Sequence, residues 1–339
     1  MYITFKGETM DNIKIDFIIP WVDGADSNWI QERRQYREDK VDDSVRFREW
    51  DTLRYWFRGV EKYAPWVNAI FFVTWGHVPE WLKTDHPKLH IVKHSEYIPE
   101  QYRPTYSSHV IELNFHRIND LSEHFVYFND DFFLINKTEK TDFFSDELPC
   151  DIAVLYPNHV NGMDCQFDHI LLNTNEFFAR HFDYKKLIKE NKKQWLSVSY
   201  GKNLLKTLLM LPFPEFPGLM MHHQPQSFLK SVFSDVWNAE PELLNATCSN
   251  KFRAVTDINQ YIMRNWQIGT GNFAPYNIMR RGVYTTINEY TNYQKLFNSK
   301  YKVLVLNDDN PSIDFEHEKL RLQNVFMSKF PEKSSFEKD

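Results

Sequence analysis

"FVYFNDDFFL", residues 125–134, sets an apolar run, three polar residues and a second apolar run side by side. Phe125 to Phe128 reads as a short strand buried on both faces, the kind found inside a parallel sheet. Asn129, Asp130 and Asp131 stop it, because Asn and Asp favour turns over strands. The apolar pattern resumes at once from Phe132 to Leu134. Left desolvated without a partner, each carboxylate would cost several kcal/mol. The two aspartates therefore either sit in water at a strand end or meet positive charge there.

Working outward, strand-like and helix-like patterns alternate over the first 150 residues. "IKIDFIIPW" (Ile13–Trp21) reads as a strand closed by a Pro-bounded turn. In "DTLRYWFRGVEKYAPW", Leu53, Trp56, Phe57, Val60 and Ala64 recur at helical spacing, and Pro65 ends the helix. "NAIFFVTW" (Asn68–Trp75), "KLHIVKH" (Lys88–His94) and "HFVYF" (His124–Phe128) are further strands, with a helix from Ser107 to about Arg117 before the last. The pattern predicts an α/β fold: a mostly parallel, Rossmann-like sheet flanked by helices. Residues 173–265 read as a mainly helical insertion or cap, interrupted by the three prolines of "LPFPEFPG" (Leu211–Gly218). "YKVLVLNDD" (Tyr301–Asp309) is expected to rejoin the sheet as a closing strand. An amphipathic helix burying Leu320, Val325, Phe326 and Phe330 follows it. The expected organisation is one catalytic domain over 13–339, with 13–150 and 300–339 forming the α/β core and 173–265 the cap.

The chain has 339 residues, is 42% hydrophobic and 16% aromatic, and has a formal charge of −6. That composition favours a globular fold, and the acidic balance argues against a general nucleic-acid binder. Most of the aromatics are expected in the core, with stacking on sugars as the alternative use. Three scattered cysteines, Cys150, Cys165 and Cys248, form neither a disulfide framework nor a zinc pattern, which suits a reducing compartment. With no apolar signal core at the start and no run of membrane-spanning length, a cytoplasmic location is expected.

In open α/β sheets ligands bind beyond the carboxyl ends of the strands. Three acidic pairs fall at such ends: Asp23 and Asp26, Asp130 and Asp131, Asp308 and Asp309. Carboxylates gathered at one edge repel unless neutralised, and a hard divalent cation shared with phosphates does this. Helix capping or turn closure is the competing reading for any one pair. No G-x-G-x-x-G or P-loop pattern occurs, so a diphosphate here would be held through metal and arginine. Arg48, Arg54, Arg58, Arg103 and Arg117 are the arginines available in the first half. Glu112 and His116 stand at i and i+4, fitting an acid–base pair or a buried bond that orients a helix. In "MMHHQPQSF" (Met220–Phe228) two histidines precede what reads as a Pro-started helix, where a neutral imidazole is favoured.

Taken in order, these segments resemble the Stealth family of sugar-phosphate transferases. That family includes bacterial capsule and cell-surface polysaccharide phosphotransferases and the catalytic subunit of the animal lysosomal-enzyme N-acetylglucosamine-1-phosphotransferase. The resemblance runs from "IDFIIPWVDGAD" (Ile15–Asp26) through "FREWDTLRYWFRGVEKYAPWV" and "PTYSSHVIELNFHRINDLSEHFVYFNDDFFL". It continues with His223-Gln224-Pro225, "KFRAVTD" (Lys251–Asp257), "VLNDDNPSID" and "FPEKSSFE". The chain departs from the family at Ile19-Pro20, where Tyr-Thr is more usual, and at Trp50-Asp51-Thr52.

The resemblance implies transfer of a hexose-1-phosphate or N-acetylhexosamine-1-phosphate from a UDP-sugar to a sugar hydroxyl, with release of UMP. It implies Mg²⁺ or Mn²⁺ held by Asp130, Asp131 and Asp308, and Asp23 and Asp26 near the nucleotide or metal. Arg54, Arg117 and Arg253 would clamp phosphates. His223 is the first-choice base and His116 the second, with Asn129 and Glu112 orienting these groups. The acceptor would be a growing glycan, carried on a lipid in related systems. Peripheral contact with the inner face of the cytoplasmic membrane would follow, through a basic–aromatic stretch such as "KKLIKENKKQW" (Lys185–Trp195), although a solvated helix face is the favoured reading of that stretch. Competing readings are a metal-dependent glycosyltransferase that releases UDP and a non-catalytic glycan-binding protein.

Overall fold

The computed structural model describes residues 12–37, 47–160 and 165–338. Its first strands are β1 (Ile15–Trp21), β2 (Ile70–Thr74), β3 (Leu89–Lys93), β4 (His124–Tyr127) and β5 (Phe132–Leu134). There follow β6 (Phe144–Ser145), β7 (Leu148–Asp151), β8 (Gln226–Leu229), β9 (Ala274–Pro275), β10 (Gly282–Thr286) and β11 (Val303–Asn307). The main sheet has the order β3-β2-β1-β4-β8. Its first four members are parallel, and β8 runs antiparallel to β4. The chain leaves β1 toward β2 and β3 on one side and returns to β4 on the other. The topological switch, where such sheets open a crevice, therefore lies between β1 and β4.

Alternate side chains of β1, β2 and β4 feed two different cores, which is why their sequences are largely apolar rather than alternating. Ile15, Phe17, Ile19, Ile70, Phe72, Val126 and Phe128 pack with Trp56, Phe57 and Val60 of the helix Leu53–Tyr63. Ile18, Phe71, Val73, Phe125 and Tyr127 pack on the other face with Val232, Phe233 and Val236 of the helix Lys230–Ala239. The helix Leu53–Tyr63 lies so close to β5 that a Cβ on Gly59 would stand 2.7 Å from the Leu134 carbonyl oxygen.

Four expectations are corrected. The closing strand β11 does not rejoin the main sheet; it lies between β10 and β5 in a second sheet. The free edge of β4 is already occupied by β8, so β11 pairs instead with the strand that leaves the aspartate turn. Residues 226–229, read as the start of a helix, are that strand β8, and the helix begins only at Lys230. The predicted cap thus contributes a strand to the central sheet. The segment after Ser107 is a short helix, Ser108–Leu113, followed by a separate tight turn at Phe115–Arg117. In the last helix, Phe315–Lys329, Phe326 is buried as expected but Leu320 is 61% exposed. A third core joins Ile152–Leu155 to Phe178, Tyr184, Trp195 and Phe273 in the helical section.

Candidate active site

The antiparallel direction of β8 decides the site. Gln226 pairs with Tyr127, so the residues just before β8 arrive at the carboxyl end of β4. His223 is thereby brought to Asp131, with Nε2 3.4 Å from the carboxylate. The edge of Phe132 and the ring of Tyr284 on β10 flank the imidazole, at centroid separations of 4.8 and 5.8 Å. Both side chains keep solvent access, 34% for His223 and 22% for Asp131.

The second sheet carries Asp308 to the same edge. The Asp131 carbonyl accepts from Leu306 N–H at 3.0 Å, and β11 ends at Asn307, next to Asp308. One Asp308 oxygen accepts from the Trp50 indole at 3.1 Å. The other is buried without a hydrogen-bond partner, 3.6 Å from Arg48. Burial raises the Asp308 carboxyl above its ordinary range, against the pull of Arg48. Asp130 keeps solvent access at the turn after β4. Desolvation of its carboxyl by the surrounding protein, with the charges of Asp131 and Glu49, pushes it up to about 7. Glu49 is itself raised by burial.

Behind Asp131 runs a supporting chain of polar groups. The Tyr127 hydroxyl donates to the buried Glu112 carboxylate at 2.8 Å and also meets the Asn129 side chain. One hydroxyl proton serves only one oxygen, so the amide nitrogen of Asn129 satisfies this contact best. Burial raises the Glu112 carboxyl, and its second oxygen has no hydrogen-bond partner. Arg253, exposed, donates to the Ser108 hydroxyl at 2.7 Å at the start of the same short helix.

A buried cluster fixes the segment that presents His223. Arg264 holds Asp151 through Nε and Nη2 at 2.9 and 2.8 Å, and donates to the Ile152 carbonyl at 3.0 Å. Burial works to raise Asp151, but Arg264 and His222 together outweigh it and hold the carboxyl well below the usual range. His222 lies 3.5 Å from Asp151, and burial pushes its imidazole down to about 4.

Other predicted residues are placed elsewhere or in other roles. Asp26 caps the helix Ser27–Gln35, accepting from Trp29 N–H at 2.8 Å. The Asp23 side chain accepts from Ala25 N–H at 2.8 Å, closing the turn after β1. Both lie at the right sheet edge, with carboxylates engaged in cap and turn. Arg54 sits over the Trp81 ring. His116 and Arg117 are not brought to this edge. The short helix Ser108–Leu113 carries the chain toward the amino end of β4. There His116 packs on Phe233 and Trp237, and Arg117 lies 4.8 Å from the Trp237 ring centre. Burial pushes His116 down to about 3.

Among the described residues, no group of three or more His, Cys, Asp or Glu could hold a metal by itself. A closed protein cage is therefore absent there. Mg²⁺ is commonly bound through one or two carboxylates plus substrate phosphates. The unpartnered Asp308 oxygen and the Asp130–Asp131 pair fit that arrangement.

Sequence comparison bears on this geometry. The family description "Stealth protein CR1, conserved region 1" matches residues 14–41, and "Stealth protein CR2, conserved region 2" matches residues 46–150. A capsular polysaccharide phosphotransferase WcwK of Streptococcus pneumoniae is 40% identical, covering 96% of this chain and 98% of the relative. The chain belongs to the Stealth family. Its relatives also include the receptor polysaccharide phosphotransferase WefC of Streptococcus gordonii, 37% identical over 96% of this chain and 99% of that protein. The exopolysaccharide phosphotransferase cps2G of Lactiplantibacillus plantarum is 36% identical over 96% of both. This Stealth chain is accordingly an enzyme. A distant overlay on the galactosyltransferase LgtC, with TM-score 0.41 and 8% identity over 92% of this chain and 95% of that one, adds nothing on chemistry.

The two matched regions of this Stealth protein contain Glu49, Arg54, Glu112 and Asn129–Asp131. His223, Arg253, Tyr284 and Asp308 lie outside both, and the fold brings His223, Tyr284 and Asp308 in from β8, β10 and β11. Sequence reasoning missed Glu49 and Tyr284. For Tyr284 the β-branched run "GVYTT" was the available signal.

Proposed function

We propose that this Stealth enzyme transfers a hexose-1-phosphate or N-acetylhexosamine-1-phosphate from a UDP-sugar to a sugar hydroxyl, forming a phosphodiester and releasing UMP. The product would be capsular or cell-surface polysaccharide. The observation that carries the reading is the pairing of His223 with Asp131 at the carboxyl edge of β4, in a chain similar throughout to polysaccharide phosphotransferases.

In this reading the acceptor hydroxyl gives its proton to His223 as its oxygen bonds to the β-phosphorus. The bond from that phosphorus to the bridging oxygen breaks, UMP carries the electron pair away, and the sugar C1–O bond survives. Asp131 holds the imidazole ring in place for that proton transfer. Arg253, whose guanidinium is exposed, would clamp phosphate oxygens, and Arg54 would do so only by leaving the Trp81 ring. The Glu112–Tyr127–Asn129 chain stiffens the turn that carries Asp130 and Asp131. Asp130, Asp131 and Asp308 would hold Mg²⁺ or Mn²⁺ jointly with the diphosphate, and the ion would neutralise charge on the phosphates. The acceptor would be a growing glycan on a lipid carrier, reached by peripheral association with the cytoplasmic face of the membrane.

His223→Gln and Asp131→Asn test the site. Each should cut UMP release from a UDP-hexose by at least about 10²-fold, with an unchanged melting temperature. Turnover within a few-fold of the parent enzyme in a folded variant would remove that residue from the site.

A further inference from the structure

The helix Leu204–Met210 presents Leu205, Leu208 and Leu209 at i, i+3 and i+4, on one face. All three are turned outward, 59%, 47% and 60% exposed. Val198 before the helix and Phe213 after it are exposed to 89% and 52%. The inward side of the helix contributes Leu204 and Met210 to the third core, which also takes Tyr184 and Ile188 of the helix Tyr184–Glu190. The apolar outer face is thus held rigidly by a packed inner face. Scattered exposed apolar residues are ordinary, but five large ones within sixteen positions require a partner.

The charge of the same stretch identifies that partner. Between Asp183 and Phe213 there are seven lysines and two acidic residues, in a chain whose formal charge is −6. Lys185, Lys186, Lys189, Lys192, Lys193 and Lys202 are exposed. Leucines on a rigid outward face within a lysine-rich stretch supply the chemistry of a helix lying in a bilayer interface, with apolar side chains in the acyl boundary and ammonium groups among anionic headgroups.

We propose that the surface formed by Val198, Leu205, Leu208, Leu209 and Phe213, together with the exposed lysines of the same stretch, docks on an anionic lipid bilayer. His223 follows Phe213 by only ten positions, so the docked surface and the transfer site belong to one continuous segment. A link of ten positions keeps His223 within about 36 Å of the docked surface, on the scale over which a lipid-carried acceptor could reach it. The proposal names the surface behind the peripheral association suggested above, and it does not depend on the chemistry assigned to His223.

The test is co-sedimentation of the full chain with large vesicles of phosphatidylcholine alone or mixed with phosphatidylglycerol. Binding to the mixed vesicles should exceed binding to phosphatidylcholine at least about tenfold and weaken with added salt. Leu205→Ser/Leu208→Ser/Leu209→Ser and Lys192→Glu/Lys193→Glu/Lys202→Glu should each lower it by roughly tenfold or more. Both triple variants alter exposed side chains, so their melting temperatures and turnover of a soluble acceptor should match the parent. No binding to the mixed vesicles, or equal binding by the variants, overturns the proposal. Concentration-dependent dimerisation abolished by the leucine variant, with no vesicle binding, would instead make this face an interface between two copies and equally overturn it. Vesicle binding without UMP release would leave the docking surface standing and refute the transferase reading alone.

Discussion

Arg264→Met should destabilise the protein by about 3–5 kcal/mol, the cost of leaving a buried carboxylate without its cation. Arg264 is 1% exposed, and its Nε and Nη2 hold both oxygens of Asp151, itself 5% exposed. Asp151 would retain the Ile152 N–H at 2.6 Å and the neutral His222 at 3.5 Å, neither of which supplies a full charge. Met replaces most of the lost volume, so the deficit is electrostatic and not a cavity. Removing the charge as well, in Arg264→Met/Asp151→Asn, should recover at least about 1 kcal/mol. Urea unfolding followed by tryptophan fluorescence reads both variants, and scanning calorimetry should show the single variant melting roughly 6–10 °C lower. UMP release should fall too, because His222 in this cluster is the neighbour of His223. A single variant within about 1 kcal/mol of the parent, or a double variant no better than the single, would refute the argument.

The remaining predictions follow from the same structure. His94 and His222 are buried and neutral, pushed down to about 3 and about 4 by burial. Their unfolded forms take up protons below about pH 6.5, so stability is full above that value and declines as the pH falls toward 4. Each should cost about 2 kcal/mol by pH 5, read as a falling melting temperature between pH 7 and 5. Gly59→Ala should destabilise by about 1–3 kcal/mol, because its Cβ would meet the Leu134 carbonyl at 2.7 Å; an unchanged urea midpoint would contradict that close approach. Tyr127→Phe should leave the Glu112 carboxylate without its hydroxyl donor, costing about 1–3 kcal/mol and lowering turnover. Full activity in that variant would show that the chain behind Asn129 does not position the aspartate turn.

The main sheet was legible because both of its faces are buried. β1, β2 and β4 are short apolar runs bounded by Pro, Gly or acidic turns, and the helix Leu53–Tyr63 shows its buried stripe plainly. β8 was not legible: "QSFL" is four residues long, half of them polar, and Pro225 before it mimics a helix start. Its direction is a tertiary outcome of the free edge beside β4, and that direction alone delivers His223 to Asp131. Asp130, Asp131 and Asp308 could be picked out because strand ends carry ligand chemistry in this fold class. Asp23 and Asp26 share that signature, yet their carboxylates are engaged by the turn and helix cap that follow β1. His116 looked equivalent to His223 in residue type; only the path of the short helix Ser108–Leu113 separates them.

The central claim is that the donor's β-phosphorus ends up in the glycan. Incubating the enzyme with Mg²⁺ or Mn²⁺, a panel of UDP-hexoses and an oligosaccharide acceptor, and recording ³¹P NMR spectra, tests it most directly. The account predicts the appearance of UMP together with a new phosphodiester resonance in the glycan product. UDP together with a phosphorus-free glycan would contradict it and make the enzyme a glycosyltransferase.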